Sequence, residues 1–499
     1  MLRLLRILRL QLLLVLTLFS LHVAADRFDF VPASSAPQKE FQVLLKAGNF
    51  KQALTTWGSA YGGTDFARSQ NGVALYAYLL YQNGLPYMGV EMLFRSTNPK
   101  KLHSALLNLW TTELNQFLPV QKGWITATKS WTAVINSQTP TLKLSNLREV
   151  LAAFRKADQV PAAHINQKAR IWWQIATRAP QIDRVDEALK ALKLLQESGQ
   201  VVIGKDLIQS AYARVLYQKG DIEAALDAYS KIPKSSTLWV ESVEEKAWAH
   251  LRRDHFDKAL GEVITLLSPA LSPLVGPESY YVANLLALKV CDYPRIFKNS
   301  ERFKKSHRER LSELQDLAKT GTHKNLNAVM ERFNKGGVQI EAAGPLTASV
   351  PRAAFRDARL VQYVESRRAL LGEVHKAQAL VETVSALGGE DHLTQQMNGA
   401  QSRSGVLHQL ALKRLRVLAK NELEEYRKVL NRMHIVEAEV IQRLHVDENL
   451  KGQRHQLPKV KDSGDVLVFP YTSDEVWFDE LGAYKAQVKD CPSLKEASL

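Results

Sequence analysis

The chain reads as all-α: an α-solenoid of helical hairpins, then a long antiparallel helical hairpin, then a docked C-terminal tail. Three observations predict this. A pattern of small and apolar residues returns after 34 residues, from "LYQKGDIEAALDAYSKI" at Leu216–Ile232 to "DHFDKALGEVITLL" at Asp254–Leu267. Apolar residues then keep helical steps of three and four between Leu360 and Leu444. Finally, Trp477, Phe478, Leu481 and Tyr484 give the tail an apolar face too large to leave in water. The composition is that of a folded chain, 45% hydrophobic and 23% charged over 499 residues, which argues against wholesale disorder. These features divide the chain into a segment 1–25, a helical region 26–165 with degenerate repeats, clear repeats over 166–305, long helices over 306–450 and a tail over 451–499.

The N-terminus, "MLRLLRILRLQLLLVLTLFSLHVAADRFDF", has Arg3, Arg6 and Arg9 ahead of an apolar run from Leu10 to Leu21. Val23 and Ala25 occupy the small-residue positions of a cleavage site, so the layout is that of a secretory signal and predicts a mature N-terminus at Asp26. The apolar run is short beside the ~20 residues a spanning helix needs, although an uncleaved anchor is the alternative. The formal net charge is +15; the segment before Asp26 holds three Arg and no acid, leaving +12. Export argues against nucleic acid as the partner. Basic solvated faces are the plain reading of that charge, and an anionic polymer or acidic protein is the sharper one. Cys291 and Cys491 are the only cysteines, and an oxidising compartment would let them form one disulfide.

In the repeats, Ala213, Gly220, Ala225 and Tyr229 return as Ala247, Asp254, Ala259 and Val263. The physical logic is a helical hairpin. A small residue in the first helix admits the second, a Gly or polar residue makes the turn, and a second small residue marks where the backbones cross. "YQKGDIEAALDAYSKI" resembles the central signature of the tetratricopeptide repeat. Weaker copies surround it: Trp172, Ala176 and Ala188 around a longer turn with Pro180; Ala77, Gly84 and Gly89; Gly48, Ala53 and Trp57; and "YYVANLLALKVCDYPRIFKNSERF", with its turn placed at Asp292-Tyr293-Pro294. Residues 100–165 carry no clear copy.

Beyond Pro351, Leu360, Tyr363, Leu370, Val374, Ala377, Val381 and Val384 form one stripe, broken by Arg367. Leu423, Tyr426, Leu430, Met433, Val440 and Leu444 form another, interrupted by Glu437. Two such helices would each reach ~50 Å at 1.5 Å per residue. A free coiled coil and a hairpin folded back on the repeats both satisfy the pattern. In the tail, "DVLVFP" reads as extended because Pro470 disfavours helix before it, and Ser473 can cap a short helix. The tail's "FP", then "EVWFDELGAY" and a late Cys, is similar to the C-terminus of exported tetratricopeptide proteins of gliding and predatory bacteria. That resemblance implies an envelope scaffold and no catalytic residue.

The sequence supplies little chemistry. There is no H-E-x-x-H, G-x-S-x-G or Walker A pattern, and His250 with His255 falls short of a zinc ligand set. Glu278-Ser279 echoes the Glu-Ser pair of lytic transglycosylases, but the Gly-Leu-Met-Gln type stretch that follows it in that family is missing. Pro277 and Glu278 equally suit a helix's first turn. No cofactor, metal or small-molecule substrate is expected. The tetratricopeptide resemblance instead implies a groove lined by Trp173, Ser210, Arg214, Tyr217, Glu244, Trp248, Leu251 and Arg252. Aromatic and Arg side chains are what binding hot spots favour, while Trp173 and Trp248 also suit packing between repeats. Arg214 and Arg252 would pair with a partner's carboxylates, and Tyr217→Ala with Arg252→Ala would weaken capture without changing melting. The expected activity is thus an exported scaffold for envelope proteins or peptides, touching membrane only peripherally if at all. A cell-wall-associated factor, or a tether built on the long hairpin, is the alternative.

Overall fold

A computed structural model describes residues 26–117, 125, 127–138, 142–271, 274–385, 390–446, 467–469 and 484–486. The proposed signal, the Ser473 helix and Cys491 lie outside the described residues. The chain is all-α and solenoid-like, with two three-residue strands in the tail. It forms two compact units, one of residues 1–140, 334–337 and 358–412, the other of residues 141–333, 338–357 and 413–499. These units cut across the segments read from sequence, because the chain leaves the first unit, builds most of the second, and returns.

In the first unit, α1 (Ala36–Lys46) and α2 (Phe50–Tyr61) form one hairpin, and α3 (Gln70–Gln82) and α4 (Pro86–Ser96) form the next. Local chemistry fixes their ends. Ser35 and Gln38 make a reciprocal capping box on α1, Asn49 caps α2 and Ser69 caps α3. Gly48 and Gly84 take left-handed φ of 73° and 78° at the two turns. Gly89 is where α4 crosses α3: a Cβ there would lie 2.5 Å from the Ala77 carbonyl oxygen. The core continues through α5 (Ser104–Gln116) and α6 (Lys129–Gln138).

The second unit opens with α7 (Leu147–Gln159). Four hairpins follow: α8 (Ile165–Arg178) with α9 (Val185–Glu197), α10 (Lys205–Lys219) with α11 (Ile222–Ser230), α12 (Trp239–Arg252) with α13 (Phe256–Leu266), and α14 (Pro277–Lys289) with α15 (Tyr293–Thr320). Each helix packs on the next. Ala188, Ala213, Ala225, Ala247 and Ala259 are wholly buried, as the crossing points of stacked hairpins must be. One left-handed residue marks each turn: Asp183, Gly220, Asp254 and Cys291, with φ of 58°, 90°, 55° and 58°. In the last hairpin the turn comes earlier than Asp292-Tyr293-Pro294, because Asp292 caps α15 and Pro294 sits in its first turn.

After α16 (Leu326–Gly336) come the two long helices, α17 (Ala358–Ser385) and α18 (Glu390–Val446). Neither is a free coiled coil. Leu370, Val374, Ala377, Leu393, Ala400 and Leu407 belong to the first unit's core. Val436 and Val440 belong to a cluster with Ala287, Tyr293 and Ile296 in the second. Leu85 gives α4 no side-chain cap. Instead buried Glu373 of α17 accepts the backbone N–H groups of Tyr87 and Met88 at 2.7 and 2.8 Å.

The tail contributes β1 (Leu467–Phe469) and β2 (Tyr484–Ala486), paired in parallel with Leu467 opposite Tyr484, and β2 packs on α13. The extended reading of "DVLVFP" holds over β1. Cys291 is disulfide-bonded, and Cys491 is the sequence's only other cysteine. We therefore expect non-reducing peptide mapping to recover residues 291 and 491 in one linked species. Closing so long a loop is worth at most on the order of 5 kcal/mol. Two free thiols in the denatured, unreduced chain would rule the link out.

Candidate functional site

The first helices of successive hairpins, α8, α10, α12 and α14, bring residues about one repeat apart into contact. Arg214 of α10 reaches Glu245 of α12, Nε at 2.9 Å and NH2 at 2.7 Å from Oε1, with Glu241 at 3.4 Å. The Arg252 guanidinium of α12 lies over the Tyr217 ring of α10, 5.3 Å from its centroid. Ser279 of α14 donates to Glu244 of α12 at 2.6 Å. The Trp248 and Tyr281 rings are 6.0 Å apart. Five of the residues singled out from sequence thus fall on one ladder crossing three hairpins. Trp173 sits against the core of α8 and α9, half-buried, and Ser210 is buried. Leu251 is half-buried in the α12–α14 cluster.

Most of the ladder's charged groups are paired within the chain. Arg214 already holds two carboxylates of its own chain. Arg356 takes Glu241 at 2.5 Å, so the acidic edge of α12 is neutralised from both sides. Farther along, α18 and residues 344–357 cover the stack. Arg310 makes two hydrogen bonds to Glu422, at 2.9 and 2.7 Å. The Arg352 backbone N–H donates to the same carboxylate at 2.7 Å, and the Arg352 guanidinium reaches Glu425 at 2.7 Å. Arg432 lies over Tyr281. Sequence reasoning missed these partners because Glu245, Tyr281, Arg352 and Arg356 stand outside the repeat signature or in segments without periodicity. Arg214, Tyr217 and Arg252 are what the ladder leaves at the surface, Arg214 and Arg252 exposed and Tyr217 half-buried.

Burial pushes the Glu244 carboxyl up to about 7, against the Ser279 hydroxyl and Arg352, which pull it down. Burial likewise pushes Glu373 up to about 7, against its two backbone donors. Between the unfolded value of about 4.5 and about pH 7 the folded chain keeps protons that the unfolded chain has released. Each group's stabilising contribution is therefore full at low pH and is lost as pH rises through that window. His250, which burial pushes down to about 4, works in the opposite direction. The comparison that isolates the carboxyl is Glu244→Gln against wild type. The urea midpoint of the variant should fall less from pH 5 to pH 7, and parallel pH dependences would contradict the assignment.

The His250 and His255 rings are 6.1 Å apart, and both Nδ1 atoms are buried without a hydrogen-bond partner. No third ligand joins them: among the described residues no group of three His, Cys, Asp or Glu side chains is placed to hold a metal. Ser279 is committed to Glu244, while burial and the Glu425 charge push the Glu278 carboxyl up. Among the described residues no helix is long and apolar enough to cross a membrane. The chain matches no protein-family model, no curated protein and no solved structure.

Proposed function

We propose that the protein is an exported scaffold of tetratricopeptide type, whose repeat ladder captures a protein or peptide partner in an envelope-associated complex. The observation that carries this reading is Arg252 laid over Tyr217 across two hairpins, with the guanidinium exposed. An aromatic ring and an arginine held together at a surface give both contact area and directed donors, the combination interface hot spots favour. The signal-like N-terminus supports export, and the tail's likeness to exported repeat proteins supports an envelope setting.

The clean test is Arg252→Ala alone. Tyr217 packs against Ile222, Leu226 and Ala249, so Tyr217→Ala would loosen the hairpins as well as the surface. Arg252→Ala should weaken partner capture at least tenfold in a crosslinking pulldown from the envelope fraction, with the melting temperature within about 2 °C of wild type, as exposed sites away from special features allow. Undiminished capture by a folded Arg252→Ala chain would move the site off this ladder.

A further inference from the structure

The second helices of two neighbouring hairpins, α11 and α13, differ on their outer faces. On α11 the stripe of Glu223, Asp227 and Ser230 is exposed at every position. One repeat later α13 carries Asp257, Gly261 and Ile264, which are half-buried, buried and half-buried. Both helices pack on the first helices beside them, and the further element packed on α13 is β2. The strand therefore lies along this stripe, and the residues suit the cover. Gly261 admits another backbone at close range, and Ile264 offers an apolar seat where α11 has serine.

β1 and β2 are three residues each, and so short a pair has no stability of its own in water. The tail stays where α13 and one covalent bond hold it. That bond is the disulfide of Cys291, in the turn from α14 to α15, and Cys491 follows Ala486 of β2 by five residues. The tail is thus tied to two hairpins, by β2 to α13 and by the disulfide to the turn of the next. The equivalent turns use Asp183, Gly220 and Asp254, residue types that enter left-handed φ more readily than cysteine does. A cysteine held at φ 58° is there for its sulfur and not for the backbone. Its side chain is half-buried, so thiols can reach it, and strained or accessible disulfides are the ones that open.

We propose that the C-terminal tail is a redox-held clasp: the Cys291–Cys491 disulfide keeps β2 on the stripe of Asp257, Gly261 and Ile264, and its reduction frees the tail and uncovers that stripe. The co-reactant is a dithiol. Its first thiolate attacks one sulfur of the disulfide and releases the other as a thiolate, which takes up a proton. Its second thiol resolves the mixed disulfide. Cys291 and Cys491 end as thiols, and the dithiol, having given up two electrons, ends as a disulfide. The clasp works whether or not the ladder binds a partner.

The test is amide hydrogen exchange of the full chain, oxidised and after dithiothreitol without denaturant, with alkylation reporting the freed thiols. Cys491→Ser opens the clasp without reductant and serves as the second form; circular dichroism checks that it folds. With the bond open in either form, exchange across residues 256–266 should quicken at least about tenfold, while exchange across residues 165–197 keeps its oxidised rate. A disulfide that dithiothreitol leaves closed in the native chain would overturn the redox control. Unchanged exchange across 256–266 with the bond open would show that β2 stays seated without it, and would overturn the clasp. Lost protection across both regions would make the bond a staple of the whole unit, and would overturn it too.

Discussion

Glu422→Ala is expected to destabilise the second unit by about 3–5 kcal/mol, the usual cost of stranding a buried charge. Arg310 and Glu422 have side chains exposed by only 5% and 4%. The carboxylate receives the Arg310 guanidinium twice and the Arg352 backbone N–H once, while two further Arg310 donors go to the Ala348 and Val350 carbonyls. One removal therefore leaves a guanidinium in the interior without its anion and an amide without an acceptor. The paired change Arg310→Met with Glu422→Leu removes both charges and should recover most of the loss, to within about 2 kcal/mol of wild type. Urea unfolding followed by helical ellipticity reads both. A loss below about 1 kcal/mol for Glu422→Ala would mean that the pair is solvated.

Trp110→Ala should cost the first unit about 3–5 kcal/mol, by the combined loss of buried area and the cavity left behind. The indole has no exposed surface, and its Nε1 donates to the Ala74 carbonyl at 3.0 Å. Tyr78 and Tyr81 meet it edge-on at 5.7 and 5.6 Å between centroids. Trp110→Phe keeps part of the ring packing and loses the hydrogen bond, so a smaller loss of about 1–2 kcal/mol is expected. Half-buried Trp248 makes the contrast: its change to Ala should cost less than that of Trp110, measured by the same urea titration. Equal costs would show that the ladder tryptophan is a core residue.

The hairpins were legible because their signals are local. Ala213, Ala225, Ala247 and Ala259 announce close helix crossings, and Gly220 and Asp254 announce left-handed turns. Cys291 occupies the same turn position but is not a residue that signals positive φ, which is why the last turn was read too late. The stripe on α18 is correct at half its positions and wider than the sequence shows. Tyr426, Met433 and Val440 are buried as expected, but Glu422, Val429 and Val436 flank them on the buried side, while Leu423 and Leu430 are half-buried. A hydrophobic pattern cannot count Glu422 as interior, because Arg310 and Arg352, 112 and 70 residues away, make its burial tolerable. Glu373 is a similar case: it caps α4 from 285 residues away, a service no local motif announces. The ladder was legible residue by residue, and its internal neutralisation by Glu241, Glu245 and Arg356 was not, because those pairings depend on chain segments without a repeat.

The central claim is that partner contact runs along the first helices of the hairpins and not along the second. A photo-crosslinking amino acid placed singly at 214 and 252, and at the exposed second-helix positions 227 and 258, tests it in cells that make the protein. Arg214 and Arg252 belong to α10 and α12, Asp227 and Lys258 to α11 and α13, and all four side chains are exposed. The account predicts one shared adduct from 214 and 252 and none from 227 and 258. Adducts from 227 and 258 with none from 214 and 252 would contradict it.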